Sequence, residues 1–239
     1  MTKSADDAAG LSISSNLEAQ VRGFRQAQRN ANDGISLVQV AEGGLNEVGN
    51  ILIRLRELGV QAASDTIGDV ERGFVNKEYQ QLKQEIDRIS QVTSYNGTTL
   101  LSGNDKGVLD FQVGTFAGEL NRIQYDPSKM DTRTNTIGVQ SADVSSKDGA
   151  LESLGMIDEA IKSVNANRAE LGAMQNRLHS TSNSLGITIE NMSAAKSRIA
   201  DTDVAAETSV MIKNQILQNA GISVLAQANS APQNALKLL

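Results

Sequence analysis

From Ala8 to Ser64 the chain carries apolar residues three and four positions apart, with no proline. Leu17, Val21, Phe24, Ala31, Ile35 and Val38 keep one register, which slips and continues through Ala41, Leu45, Val48, Leu52 and Leu55. This spacing predicts a long coiled-coil-like helix over residues 8–64 with a stutter near Ala41. A second helix is predicted over 70–93, with Val75, Tyr79, Leu82, Ile86 and Ile89 on one face. Tyr95-Asn96-Gly97 ends it as a turn. Leu109, Phe111 and Val113 then alternate with polar residues, and Leu120 to Tyr125 follows a glycine-bounded break, which predicts a hairpin within a region spanning 95–148. Residues 126–148 read as polar, turn-rich and poor in apolar anchors. A third helix is predicted over 149–198, led by Leu151, Leu154, Ile157, Ile161 and Val164 and continued by Leu171, Met174, Leu178, Leu185, Ile189 and Met192.

The segment from Val204 onward differs. At 100° per residue its apolar side chains fall on every side: Val210, Leu217 and Val224 on one line, Ile212 and Ile216 roughly opposite, and Met211, Ile222 and Leu225 between them. A helix that is apolar all round has to be buried all round. Interspersed Gln, Asn, Ser and Thr break the continuous apolar run that a membrane span needs, so no membrane insertion is expected. The remaining solution is burial among protein helices, with other copies of the chain as partners. Pro232 is expected to stop this helix near its end.

Composition points the same way. Aromatics make up 3% of 239 residues and tryptophan is absent, so a conventional aromatic-rich core is not expected. Small side chains suit closely packed helices instead. Glycines within the first helix, among them Gly23, Gly34, Gly43, Gly44, Gly49 and Gly59, each cost helix propensity, and close approach of neighbouring helices is the expected compensation. A net charge of −6 argues against a nucleic-acid partner. With no cysteine there is neither a disulfide nor thiolate chemistry. Residues 1–30 show no leader of the general secretory type.

No catalytic, cofactor or metal constellation emerges. His179 is the single histidine and reads as a partly exposed helix residue. The carboxylates Asp6, Asp7, Asp201 and Asp203 read as helix-terminus or junction residues rather than acid–base machinery. Asn96-Gly97-Thr98 and Asn191-Met192-Ser193 fit the glycosylation triplet, which is discounted without a secretory leader.

Ordered blocks at both ends carry a resemblance. Ser4 to Leu11, Arg29 to Ser36, Arg54 to Leu58 and Gln84 to Ile89 lie on the amino-terminal side. Leu171 to Leu178, Glu190 to Ala195, Ser197 to Ile199, Asp201 to Asp203 and Leu225 to Asn234 lie on the other. In this order they resemble the bacterial flagellins. The chain departs from that family in three ways. The resemblance implies a further amino-terminal segment of about forty residues, about 60 Å if helical, before the block at Ser4. The central region is minimal. Ile53 stands where several relatives carry Gln.

The resemblance implies a mainly α fold: an elongated bundle of long coiled-coil-like helices with a small β-hairpin region, plus a C-terminal helix of an inner filament tube. Residues 1–200 would form the core domain and 201–239 the inner-tube helix. It implies a structural subunit, not an enzyme, that polymerises with itself into the flagellar filament for swimming. Export would run through the flagellar type III system to the extracellular flagellum. Val210, Ile212, Ile216, Leu217, Val224 and Leu225 would pack in the filament and, before export, against a flagellar export chaperone. Filament cap and hook-associated proteins would be further partners. Monomers would be recognised by Toll-like receptor 5 through Arg54, Leu58 and Glu78, with Arg54 and Leu58 on one face as i and i+4. The alternative is a hook-associated junction protein; an unrelated helical adhesin or scaffold would need an anchor or leader.

Overall fold

The computed structural model describes residues 7–103 and 107–236. Ser4, Ala5 and Asp6 of the first block, and residues 237–239 of the terminal segment, lie outside the described residues. The fold is mainly helical. α1 spans Ala8–Ala62, α2 Asp69–Val92, α3 Lys147–Ala200 and α4 Val204–Leu236. Two small antiparallel ladders lie between α2 and α3: β1 (Ser94–Tyr95) with β2 (Thr98–Thr99), and β3 (Leu109–Gln112) with β4 (Arg122–Tyr125). The chain divides into two compact units, residues 20–191 and residues 1–19 with 192–239.

In the unit of residues 20–191, α1 and α3 run antiparallel. Arg56 Nε donates to Asp158 at 2.8 Å, and Gln28 Nε2 donates to the Ser182 carbonyl at 3.2 Å. The expected stripe lines the seam: Ala31, Val38, Ala41, Leu45, Val48, Leu52 and Leu55 are all fully buried. α3 answers with Ile157, Val164, Leu171 and Leu178. Leu151, expected to lead that stripe, is 53% exposed; the buried face of α3 opens instead at Ala150 and Ser153. Close approach accounts for some glycines of α1. A Cβ on Gly44 would come within 2.7 Å of Leu101 and 2.8 Å of Thr93, and one on Gly34 within 3.2 Å of the Phe111 ring. Gly43 and Gly49 would meet nothing, and nothing in the structure explains them.

The turn after α2 closes β1 on β2. Asn96 and Gly97 both take positive φ, 49° and 72°, the geometry that twists correctly into a two-residue hairpin. The second hairpin pairs Leu109 with Tyr125 and Phe111 with Ile123. Its strand begins at Arg122, later than expected. Leu120 sits in a short 3-10 turn and is fully exposed.

Residues 126–146 depart most from expectation. Their few apolar residues are nearly all anchors: Met130, Ile137, Val139, Ala142 and Val144 are buried. A polar stripe on α2 fixes the backbone of this segment. Asp87 accepts from the Thr134 amide at 2.8 Å and its hydroxyl at 2.9 Å. Lys83 Nζ donates to the carbonyls of Gln140 at 2.7 Å and Ala142 at 2.8 Å. Gln80 and Asn76 add contacts to the Ala142 carbonyl and the Val144 amide. Burial pulls the Lys83 ammonium below its usual range, against the pull of Asp143 and Asp87. Lys83→Met should lower unfolding stability by about 1–3 kcal/mol, because two buried carbonyls lose their donor; denaturant melts check this.

Asp131 organises the same segment. It accepts from Arg133 Nη2 at 2.7 Å and from the Thr136 hydroxyl at 2.8 Å. Burial alone would raise this carboxyl, but the hydrogen bonds from Arg133 and Thr136 outweigh it and hold it below the usual range. A depressed carboxylate stabilises the fold above its unfolded value, about 3.9, and that contribution is lost as pH falls through the folded value. Below about pH 4 the Val139 amide, which donates to the Thr134 carbonyl at 3.0 Å, should therefore lose protection relative to its free-peptide exchange rate, and Asp131→Asn should remove this pH dependence.

Arg72 closes the end of α1. Its Nε donates to the Ala62 carbonyl at 2.8 Å and its Nη2 to the Ser64 carbonyl at 3.0 Å, satisfying groups that a helix end leaves open.

In the unit of residues 1–19 and 192–239, Lys196 pairs with Glu18 at 3.0 Å. Asp7 caps α1 through the amides of Ala9 and Gly10, both at 3.0 Å. Asp203 caps α4 through Ala205 and Ala206. These two carboxylates thus hold the helix-terminus role expected of them. α4 runs through Pro232 to Leu236. The expected stop is not seen: α4 continues one turn past Pro232, although the ring removes one N–H donor from the ladder.

Candidate functional site

Two surfaces carry the functional candidates. The first is α4. Every residue from Val204 to Asn229 is exposed. Val210 is 50% exposed, Ile212 53%, Ile216 62%, Leu217 59%, Val224 64% and Leu225 65%. Apolar residues thus face solvent on every side of a helix whose N-terminus is already capped. Its apolar area is what hydrophobic burial would remove from water, at about 1.5–3 kcal/mol for each large side chain.

The second surface joins α1 to α2. Arg54 Nη2 donates to Glu78 Oε1 at 2.9 Å and Arg54 Nη1 to Glu57 at 3.0 Å. Hydrogen bonds donated to Glu57 and then to Glu78 strengthen the guanidinium's hold on its proton. The structure thereby brings Arg54 and Glu78 together. It does not put Leu58 beside them on the surface. Leu58 is 1% exposed and belongs to the core, while the Arg54 side chain is 49% exposed. The step from i to i+4 turns the helix by about 40°, and here that step crosses from solvent to seam. The buried stripe that ended at Leu55 in the sequence reading continues through Leu58 and Ala62. Ile53, beside Arg54, is 54% exposed.

His179 is exposed on α3. Among the described residues no group of three or more His, Asp or Glu could hold a metal ion, and no helix is long and apolar enough to cross a membrane. The polar stripe of α2 went unread in the sequence. Its signal was the spacing of Asn76, Gln80, Lys83 and Asp87, which runs beside the apolar stripe at the same period.

A helical core joined in one chain to a helix with exposed apolar residues on every side defines a self-assembling structural protein. The bacterial flagellin N-terminal helical region matches residues 1–106, and the bacterial flagellin C-terminal helical region matches residues 154–239. A flagellin of Halalkalibacterium halodurans is 43% identical over 239 residues, spanning all of this chain and 87% of that relative. The chain belongs to the bacterial flagellin family. The crystal structure of Bacillus cereus flagellin agrees, with TM-score 0.59 at 30% identity over 70% of this chain and 94% of that one. A putative flagellar hook-associated protein from Vibrio parahaemolyticus has TM-score 0.67 at 15% identity, covering 82% of this chain and all of that one. That likeness is one of fold alone, and the sequence matches favour a filament flagellin over a junction protein.

Proposed function

We propose that this chain polymerises with copies of itself into the extracellular flagellar filament that drives swimming. The observation that carries this reading is α4, whose apolar residues are exposed on all sides in the single chain. In the proposed filament each face of α4 meets a different neighbour. Residues 201–239 then form the inner tube and residues 1–200 the shell around it. Export through the flagellar type III system fits a chain without cysteine, because no disulfide can form before transit. Before export a flagellar chaperone covers Val210, Ile212, Ile216, Leu217, Val224 and Leu225. The cap and hook-associated proteins receive the subunit at the filament tip and base. Expression of the encoding gene in a bacterium deleted for its own flagellin is the test. Filaments by electron microscopy are expected; secreted protein without filaments overturns the reading.

The Arg54–Glu78 surface supports a second role for the monomer, recognition by Toll-like receptor 5. An arginine next to exposed Ile53 has the composition of a binding hot spot. Leu58 supports that surface from below. Arg54→Ala should weaken receptor binding about tenfold, and Glu78→Ala less if its carboxylate stays hydrated at the rim of the complex. Unchanged reporter activation by both folded variants would remove the role from this surface.

A further inference from the structure

With neither cysteine nor tryptophan in the chain, the methionine thioethers are its softest targets for an oxidant. The sequence holds six methionines, and five of them lie among the described residues. Burial sorts these five. Met130 is 1% exposed and Met174 8%. Met156 and Met192 are part-buried, and the Ser141 hydroxyl donates to the Met156 sulfur at 3.8 Å. Met211 differs from all four, at 57% exposure. It lies on α4, on the same line of the helix as Ile222 and Leu225. An unbranched, polarizable thioether packs well against irregular apolar surface. The same sulfur is thus open in the single chain and placed where the proposed filament would cover it.

We propose that Met211 is an oxidation site through which hydroperoxides control entry of this chain into the filament. The inference rests on the filament reading and adds a chemical control to it. The Met211 sulfur attacks the terminal oxygen of the hydroperoxide. An S–O bond forms and the O–O bond breaks. The proton of the transferred oxygen passes to the departing one, which leaves as water or an alcohol. The sulfur gives up two electrons and the peroxide takes them. The product is a sulfoxide, polar and chiral where the thioether was apolar. In the single chain water solvates the new oxygen, and the fold is unaffected. Among other copies that oxygen leaves water without a donor in place, and a buried acceptor left unpaired is costly. Oxidised subunits are therefore refused. Once packed, the sulfur is out of reach, so the filament resists an oxidant to which the free subunit is sensitive. Return to the thioether takes two electrons from external thiols, because the chain has no cysteine to supply them. Those thiols end as a disulfide and the oxygen leaves as water.

Dilute hydrogen peroxide, applied to whole filaments and to monomers dissociated from them, tests this. Both are taken from the bacterium that expresses the encoding gene. Peptide mass spectrometry reads the added oxygen, about 16 Da, at each methionine. In monomers Met211 should oxidise at least about tenfold faster than Met130 or Met174, and in filaments at least about tenfold slower than in monomers. Oxidised monomers, shown by thermal melts to be folded, should elongate unoxidised filament seeds at least about tenfold more slowly. Treatment with a thiol-dependent sulfoxide reductase should restore elongation. Met211→Leu keeps the apolar bulk without the sulfur and should elongate alike before and after peroxide, which assigns the loss to this residue. Equal oxidation of Met211 in monomer and filament would overturn the proposal. So would oxidised monomers that elongate normally, or a Met211→Leu chain as sensitive to peroxide as the unmodified one. If any of these appears while untreated monomers elongate, the oxidation site fails and the filament reading stands. Untreated monomers that do not elongate at all remove the filament reading, and this proposal with it.

Discussion

Leu217→Asp is expected to abolish filament growth while leaving the folded monomer unchanged. Leu217 is 59% exposed in the single chain, so an aspartate there stays hydrated and alters unfolding stability by no more than about 0.5 kcal/mol. The assembled state differs. If α4 is surrounded by other copies, the same aspartate is an unpaired carboxylate taken out of water, at a cost of about 3–5 kcal/mol. The leucine's own burial, about 1.5–3 kcal/mol, is lost as well. Every added subunit repeats both terms, so a defect modest for one contact is decisive for a polymer. Ile212→Asp, roughly opposite Leu217 on the same helix and 53% exposed, should behave alike. A helix buried on one face only would tolerate one of the two. Thermal melts of purified monomer, set beside electron microscopy of cells, separate the two effects. Filaments of ordinary length from both variants would show that α4 is not the packing element.

Leu58→Ala should destabilise the folded chain by about 2–5 kcal/mol, the range for emptying a well-packed leucine site. Its side chain is 1% exposed within the core cluster that includes Leu55, Ala62, Tyr79 and Ile157. Part of the cost is the lost transfer energy and part is the cavity left among neighbours that relax only partly. A drop in receptor signalling by this variant would therefore report loss of folded protein unless stability is measured alongside. Arg54→Ala carries no such ambiguity, because among the described residues its guanidinium pairs with Glu57 and Glu78, both exposed. Denaturant melts of the two variants should diverge, with Leu58→Ala shifted to lower denaturant and Arg54→Ala close to the unmodified chain. A Leu58→Ala variant as stable as the parent would contradict the burial on which this contrast rests.

The sequence by itself determined the helices. Apolar spacing placed α1 over 8–64, α2 over 70–93 and α3 over 149–198, each within two residues of the observed ends. It also placed the two strand-like runs of the second hairpin, though not their register, and the all-round apolar character of α4. These are local, one-dimensional signals, since a period of 3.6 or 2 is set by the backbone of the element itself. Tertiary structure decided which edge of each pattern is inside. Leu151 and Leu58 are equally apolar, yet Leu151 is exposed and Leu58 buried, because the width of a buried face depends on what packs against it. The 126–146 segment is the larger case. Its anchors are too sparse to show a period, and its order comes from Asn76, Gln80, Lys83 and Asp87, which meet its backbone only once α2 lies beside it. The link between Arg54 and Glu78 is of the same kind: twenty-four residues separate them along the chain, and only the packing of α2 on α1 brings carboxylate to guanidinium.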